Sequence, residues 1–156
     1  MGLILFLMKA PKGYRETLEK APERLDELFR AIDTTPVPPT EGVTIQGTHL
    51  IGHILDGVSE EYARRPNPWA ETLTDPHLAA FMGTYHLPHP VEDTLRFTPA
   101  SEIRTLQNAM REIMQHPERF EACEASRGSL VRIASQVETF YASLDPESDC
   151  VVFCLT

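Results

Sequence analysis

The sequence predicts an α+β fold: a single domain over residues 1–156, with a small sheet that includes the N- and C-terminal strands and packs against several helices. Three observations predict it. An apolar run, Leu3–Met8, opens the chain, and a second, Cys150–Leu155, closes it. Between them apolar residues recur at helical spacing, most clearly at Ile103, Leu106, Met110, Ile113 and Met114 and again from Leu130 to Leu144. At 156 residues the chain has the size of one domain, and one this long buries roughly 70% of its unfolded surface without needing disulfides or metal.

Taken in order, Gly2–Met8 reads as a strand bounded by Pro11 and Gly13. Tyr14, Leu18, Leu25, Leu28, Phe29 and Ile32 give a short helix and then a second from about Pro22 to Ile32, with Pro22 at its start. Asp33–Pro39 is a Thr/Pro linker that cannot continue a helix. A buried helix follows from about Thr44 to Leu55, stopped by Gly57. Pro66-Asn67-Pro68-Trp69 is a loop. Leu78–Met82 is weakly helical and gives way to Tyr85–Pro90, which must be extended or turned. Leu95-Arg96-Phe97 alternates as a short strand does. Thr98 then stands as an N-cap, and Pro99 at the first position of an amphipathic helix of about four turns. His116-Pro117 ends that helix. Leu130–Leu144 forms a last long helix, Asp145–Asp149 a turn, and Cys150–Leu155 a strand apolar enough to be covered on both faces.

The formal charge is −9, unevenly spread. Residues 31–95 hold two basic and nine acidic side chains, a net −7, together with eight of the thirteen prolines and five of the six histidines. An acidic, loop-rich middle is thus flanked by regular structure, and loops on a rigid scaffold are where binding usually resides. The imbalance argues against nucleic-acid binding, which needs a basic stripe. Leu3–Met8 is far too short to span a bilayer, and neither a basic segment nor a long apolar core marks it as a signal peptide. The three cysteines, Cys123, Cys150 and Cys154, have no CxxC spacing. On a strand Cys150 and Cys154 share a face roughly 13 Å apart, beyond disulfide reach. Reduced, buried thiols and a cytoplasmic location are expected.

Two groups of residues carry possible chemistry. His49 and His53, one helical turn apart, with Asp56 three residues on, form a conceivable three-ligand metal face. The zinc-protease motif requires Glu directly after the first histidine, and Leu50 stands there. In the proline-flanked stretch Tyr85–Pro90, His86 or His89 could serve acid–base chemistry, or the stretch could simply be a stiff connection. The nucleophile-elbow, P-loop and dinucleotide fingerprints are absent, and neither catalytic residues nor a cofactor are assigned.

Met1–Phe6, the segment Gly47–Gly57, and Leu95–Pro99 leading into a long helix resemble the YfbM-like family of small bacterial proteins of unknown function. The family's tryptophan ahead of the histidine is missing, and Asp56 stands where the family has threonine before the last glycine. The resemblance implies an α+β fold and a bacterial cytosolic setting, and it supplies no activity.

The expected function is that of a non-catalytic, acidic protein-binding module, such as an immunity protein that neutralises a cognate bacterial toxin. Acidic patches speed association with basic partners. Asp56, Glu60, Glu61, Glu71, Asp75, Glu92 and Asp93 would form the contact surface, with Trp69 as an anchor or else a core residue. The alternative is a small metal- or histidine-dependent enzyme built on His49, His53 and Asp56, acting on a small substrate.

Overall fold

The chain was described from a computed structural model, in which residues 3–34, 41–46, 48–58, 72–120 and 127–156 are described. Strand β1 (Ile4–Pro11) leads through a turn into helix α1 (Tyr14–Lys20). Gly13 makes the turn possible with φ +82, a left-handed conformation that a side chain would strain. A 3-10 turn at Pro22–Arg24 runs into α2 (Leu25–Thr34), so the proline does sit where the helical segment begins. Then come β2 (Gly42–Gln46), α3 (Thr48–Val58), α4 (Pro76–Met82), β3 (Tyr85–His86), β4 (Arg96–Thr98), α5 (Ala100–Gln115), a 3-10 turn at Pro117–Phe120, α6 (Arg127–Ala142) and β5 (Asp149–Leu155).

The five strands among the described residues form one antiparallel sheet in the order β2-β1-β5-β4-β3. The closing strand β5 therefore lies at the sheet's centre, between β1 and β4. This placement explains why its sequence is apolar throughout. Val151 and Phe153 point to one face, while Cys150, Val152 and Cys154 point to the other, and all five are buried. Helices α3, α4, α5 and α6 cover the first face, packing Ile54, Leu78, Phe81, Ile103, Met110, Val137 and Phe140 over Leu5, Leu7, Val43 and Ile45. Helices α1 and α2 cover the second, setting Tyr14, Leu18, Leu25 and Leu28 over Met8, Ala10 and Val152. Phe6 and Phe29 meet there edge to face at 5.0 Å. The sequence-based α+β expectation is thus met, with helices on both faces of the sheet.

Two boundaries differ from expectation. Thr44 does not begin a helix. Gly42–Gln46 pairs with β1 from Met8 to Ile4, and α3 starts at Thr48. The switch is dictated by the free edge of β1, against which Val43 and Ile45 reach the core at strand spacing. Gly42 is needed in this pairing, because a Cβ there would stand 2.5 Å from the Leu7 carbonyl and 2.6 Å from Ile32 Cγ1. Thr98 does not cap α5. It belongs to β4, and its hydroxyl is engaged across the sheet by Thr84, through the Thr84 N–H and side chain, each at 3.0 Å. The N-cap is Pro99, which has extended backbone and makes no side-chain cap bond, and the helix begins at Ala100.

Arg96 is fully buried in this fold. It sits opposite Phe153, on the face covered by α3–α6. Its Nε donates to the Met82 carbonyl at 2.9 Å, and its Nη2 donates to the Gly83 and Thr84 carbonyls at 3.1 and 3.2 Å. The guanidinium thus closes the C-terminal end of α4, where helix carbonyls lack internal partners and a positive charge is favoured. In the same way Gln107 donates to the carbonyls of Tyr141 and Leu144 at the end of α6. The Leu95-Arg96-Phe97 alternation is real, but both of its faces are covered.

Candidate functional site

The expected acidic surface is divided by the sheet. Asp56 is exposed on α3, and Asp75 is the N-cap of α4, accepting the His77 N–H at 2.9 Å. Both belong to helices over the first face. Glu92 and Asp93 lie in the β3–β4 connection, which packs over the second face through Leu87 and Leu95. Glu60, Glu61, Trp69 and Glu71 lie outside the described residues.

The β3–β4 connection is tied down along its length. The Leu87 N–H bonds the Leu95 carbonyl at 2.9 Å. His89 Nδ1 accepts the N–H groups of Val91 and Glu92 at 3.2 and 3.0 Å, which leaves Nε2 to donate to the Pro22 carbonyl at 2.9 Å. His86 Nε2 donates to the Asp93 carbonyl at 3.3 Å. Thr94 exchanges hydrogen bonds with the Leu155 backbone. Pro88 and Pro90 fix two further φ angles. These bonds hold up a tip that points to solvent: Val91 is 79% exposed, and Glu92 and Asp93 follow it directly. Among the described residues the only other large apolar side chain left exposed is Leu3, at 39%. The sequence left this stretch open between an acid–base histidine segment and a stiff connection, and the structure shows what stiffens it.

His86 and His89 are therefore committed to backbone carbonyls. His53 is partly buried on α3, one turn before Asp56, while the side chain of His49 lies outside the described residues. Among the described residues no group of three or more His, Cys, Asp or Glu side chains is arranged to hold a metal ion. His77 stands between two carboxylates, with Nε2 2.7 Å from Glu112 and Nδ1 3.4 Å from Asp75. The His77–Glu112 contact links α4 to α5.

The thiols are not poised as nucleophiles. Burial pushes the Cys150 thiol from 9.0 up to about 11, and it donates to the Pro11 carbonyl at 3.3 Å. Burial and the Glu92 carboxylate, 3.6 Å away, push Cys154 up to about 12. Both are free and buried, as expected; Cys123 lies outside the described residues.

A second feature went unseen in the sequence. An open cleft of about 970 Å³ lies where the start of α1, the β3–β4 edge, the first half of α5 and the turn before β5 meet. Tyr85 and Phe97, their rings tilted 35° to one another at 5.4 Å, give it an aromatic wall. Lys12, Arg15 and Arg104 are its cations, and Glu16 and Glu147 its carboxylates. The Tyr85 hydroxyl donates to Glu102 Oε1 at 2.8 Å, and this bond, ahead of burial, raises the tyrosine's pKa. Tyr14 lies below, its hydroxyl bonded to the Arg24 carbonyl and to Glu27, its pKa raised to about 12 by burial first and Glu27 second. Five separate segments contribute to the cleft, so no local motif could announce it.

No family model, curated protein or solved structure matches this chain. Among the described residues no helix is long and apolar enough to cross a membrane.

Proposed function

We propose that this chain is a non-catalytic, cytoplasmic protein-binding module of the immunity-protein type, which neutralises a basic partner by docking it on the β3–β4 loop. The observation that carries it is Val91, 79% exposed at the tip of a loop whose backbone is held by His86, His89 and Thr94. An exposed apolar side chain is stabilised when a partner buries it, and a loop already ordered loses little entropy when a partner closes over it. Glu92 and Asp93 set beside it a charge that steers a basic surface and disfavours an acidic one. Asp56 and Asp75, over the opposite face, fall outside this central contact. Glu60, Glu61, Trp69 and Glu71, outside the described residues, remain candidate contacts from the sequence. Membership of the YfbM-like family is part of the same proposal and rests on the sequence segments quoted above.

The test is capture from lysate at low and high salt, followed by affinity measurement on the partner identified. A basic protein released by salt is expected. Replacing Val91 by Asp, and Glu92 and Asp93 by Lys, should each weaken it at least tenfold, about 1.4 kcal/mol. The charge reversals should also flatten the salt dependence. Affinity unchanged by all three substitutions would overturn the assignment of the loop.

A further inference from the structure

A cleft lies beside α5, separate from the exposed tip of the docking loop. We infer that it binds a small organic phosphate carrying a flat ring, of mononucleotide size.

Three observations converge on this. The first is size: about 970 Å³ lies at the upper end of the roughly 300–1,000 Å³ that encloses small ligands. The second is charge. The chain is −9, and on the elements around the cleft Lys9 pairs with Glu41, Arg15 with Glu19 and Arg24 with Glu27. Yet Lys12 and Arg104, both exposed and both lining the cleft, make no ion pair or side-chain hydrogen bond among the described residues. They come from different elements, Lys12 from the β1–α1 turn and Arg104 from the second turn of α5, so an anion in the cleft has a cation available from each. The third is shape. Tyr85 and Phe97 form one wall, and the Arg15 guanidinium lies over the Phe97 ring at 5.2 Å while its Nε is held by Glu19 at 3.0 Å. A guanidinium fixed in this way offers a flat face to an aromatic ring and free N–H groups to a phosphate. Ser101, Thr105 and Asn108, in successive turns of α5, add hydroxyl and amide groups for a polar body such as a sugar.

The positive end of α5 adds little, because Glu102 sits in the same first turn. Glu16 and Glu147 limit the surplus at the cleft to one positive charge. Affinity therefore depends on where the cations stand and on ring stacking together, and inorganic phosphate alone should bind poorly.

The probe is adenosine monophosphate, titrated into the labelled protein and followed by amide NMR shifts, with adenosine and inorganic phosphate as separate arms. The nucleotide is expected to shift amides of Lys12–Glu16, Tyr85–His86 and Ser101–Asn108, and each fragment to bind at least tenfold more weakly. Lys12→Glu and Arg104→Glu should each weaken the nucleotide about tenfold, equivalent to about 1.4 kcal/mol. Both positions are exposed, so the fold should be retained. Arg132→Glu reverses an exposed cation on α6, over the opposite face, and should change nothing. The inference is overturned if millimolar nucleotide moves none of these amides. It is equally overturned if Arg132→Glu weakens binding as much as the cleft variants do, or if phosphate alone binds as tightly as the nucleotide. None of these outcomes bears on the Val91 loop, whose own variants should leave nucleotide binding intact.

Discussion

Replacing Arg96 by methionine should destabilise the protein more than any surface change. Methionine fits the volume and removes the cost of burying a charge, and replacing a buried ion pair with apolar side chains is often neutral or better. Here, however, the acceptors are backbone carbonyls and cannot be replaced along with the arginine. The Thr84 carbonyl keeps a donor, the Leu73 N–H at 2.9 Å. The carbonyls of Met82 and Gly83, which now accept at 2.9 and 3.1 Å, would be left buried without a side-chain donor. At about 1–3 kcal/mol for each, less the relieved desolvation of the guanidinium, the net loss is about 3 kcal/mol. For a domain of this size that lowers Tm by roughly 6–12 °C. Arg96→Lys keeps the charge but not the planar fork, and should fall between wild type and methionine. Urea unfolding followed by circular dichroism measures both. A methionine variant within about 1 kcal/mol of wild type, at unchanged m-value, would refute the role given to those carbonyls.

Glycine substitutions should divide by position. Gly83→Ala adds a Cβ 2.5 Å from Phe153 Cδ2 at φ +80 and should cost about 3 kcal/mol, whereas Gly52→Ala, mid-helix with open space around it, should stabilise by about 0.5–1 kcal/mol in the same unfolding assay. Cys150 and Cys154 should resist a maleimide at pH 8 in the folded protein and react once it is unfolded in urea, because both thiol pKa values lie well above that pH. Their folded values are raised to about 11 and about 12 from 9.0, so the unfolded state loses these protons first. Stability is then full below about pH 9 and falls as pH rises towards 11–12, and a double Cys→Ala variant should show a shallower fall between pH 9 and 10 in urea midpoints. His89→Ala should free the Val91 and Glu92 N–H groups and speed their hydrogen exchange without a comparable change in α5, while uniform protection in that variant would show that the histidine is not the loop's brace.

What could be read in the sequence follows from how local each signal is. Helices α5 and α6 were legible because each carries its own periodicity over many residues, and β5 because it is an unbroken apolar run closed off by a turn. β2 was not, because Val43 and Ile45 supply only two strand-spaced apolar residues, and Ile51, Ile54 and Leu55 follow closely enough to extend a helical pattern backwards through them. Thr98-Pro99 has the composition of a helix start, but a sheet ladder and the partner hydroxyl of Thr84 compete for the threonine, and both are non-local. Of the candidate contacts, the Glu92-Asp93 pair proved to sit beside an exposed valine on a braced loop. Asp75 turned out to be a helix cap, a role any Asp before a Pro-initiated helix can fill. The burial of Arg96 had no local signal, since its acceptors come from another segment at the end of α4.

The position of β5 has a consequence for synthesis on the ribosome. Residues 149–155 emerge after the other described strands, yet they pair with β1 along their whole length and with β4 at Val151–Phe153. The hydrogen bonds between Ile4 and Thr156, at 2.8 and 2.9 Å, join residues far apart in sequence. Until then the described strands form a β1–β2 pair and a β3–β4 pair with no strand between them, and the apolar faces of the described helices have no complete sheet to cover. Folding therefore depends on contacts of large sequence separation, which makes it slow. A chain released before residue 149 would present the unpaired edge of β1 to its neighbours, and that edge, rather than any loop, is where aggregation of truncated products should start.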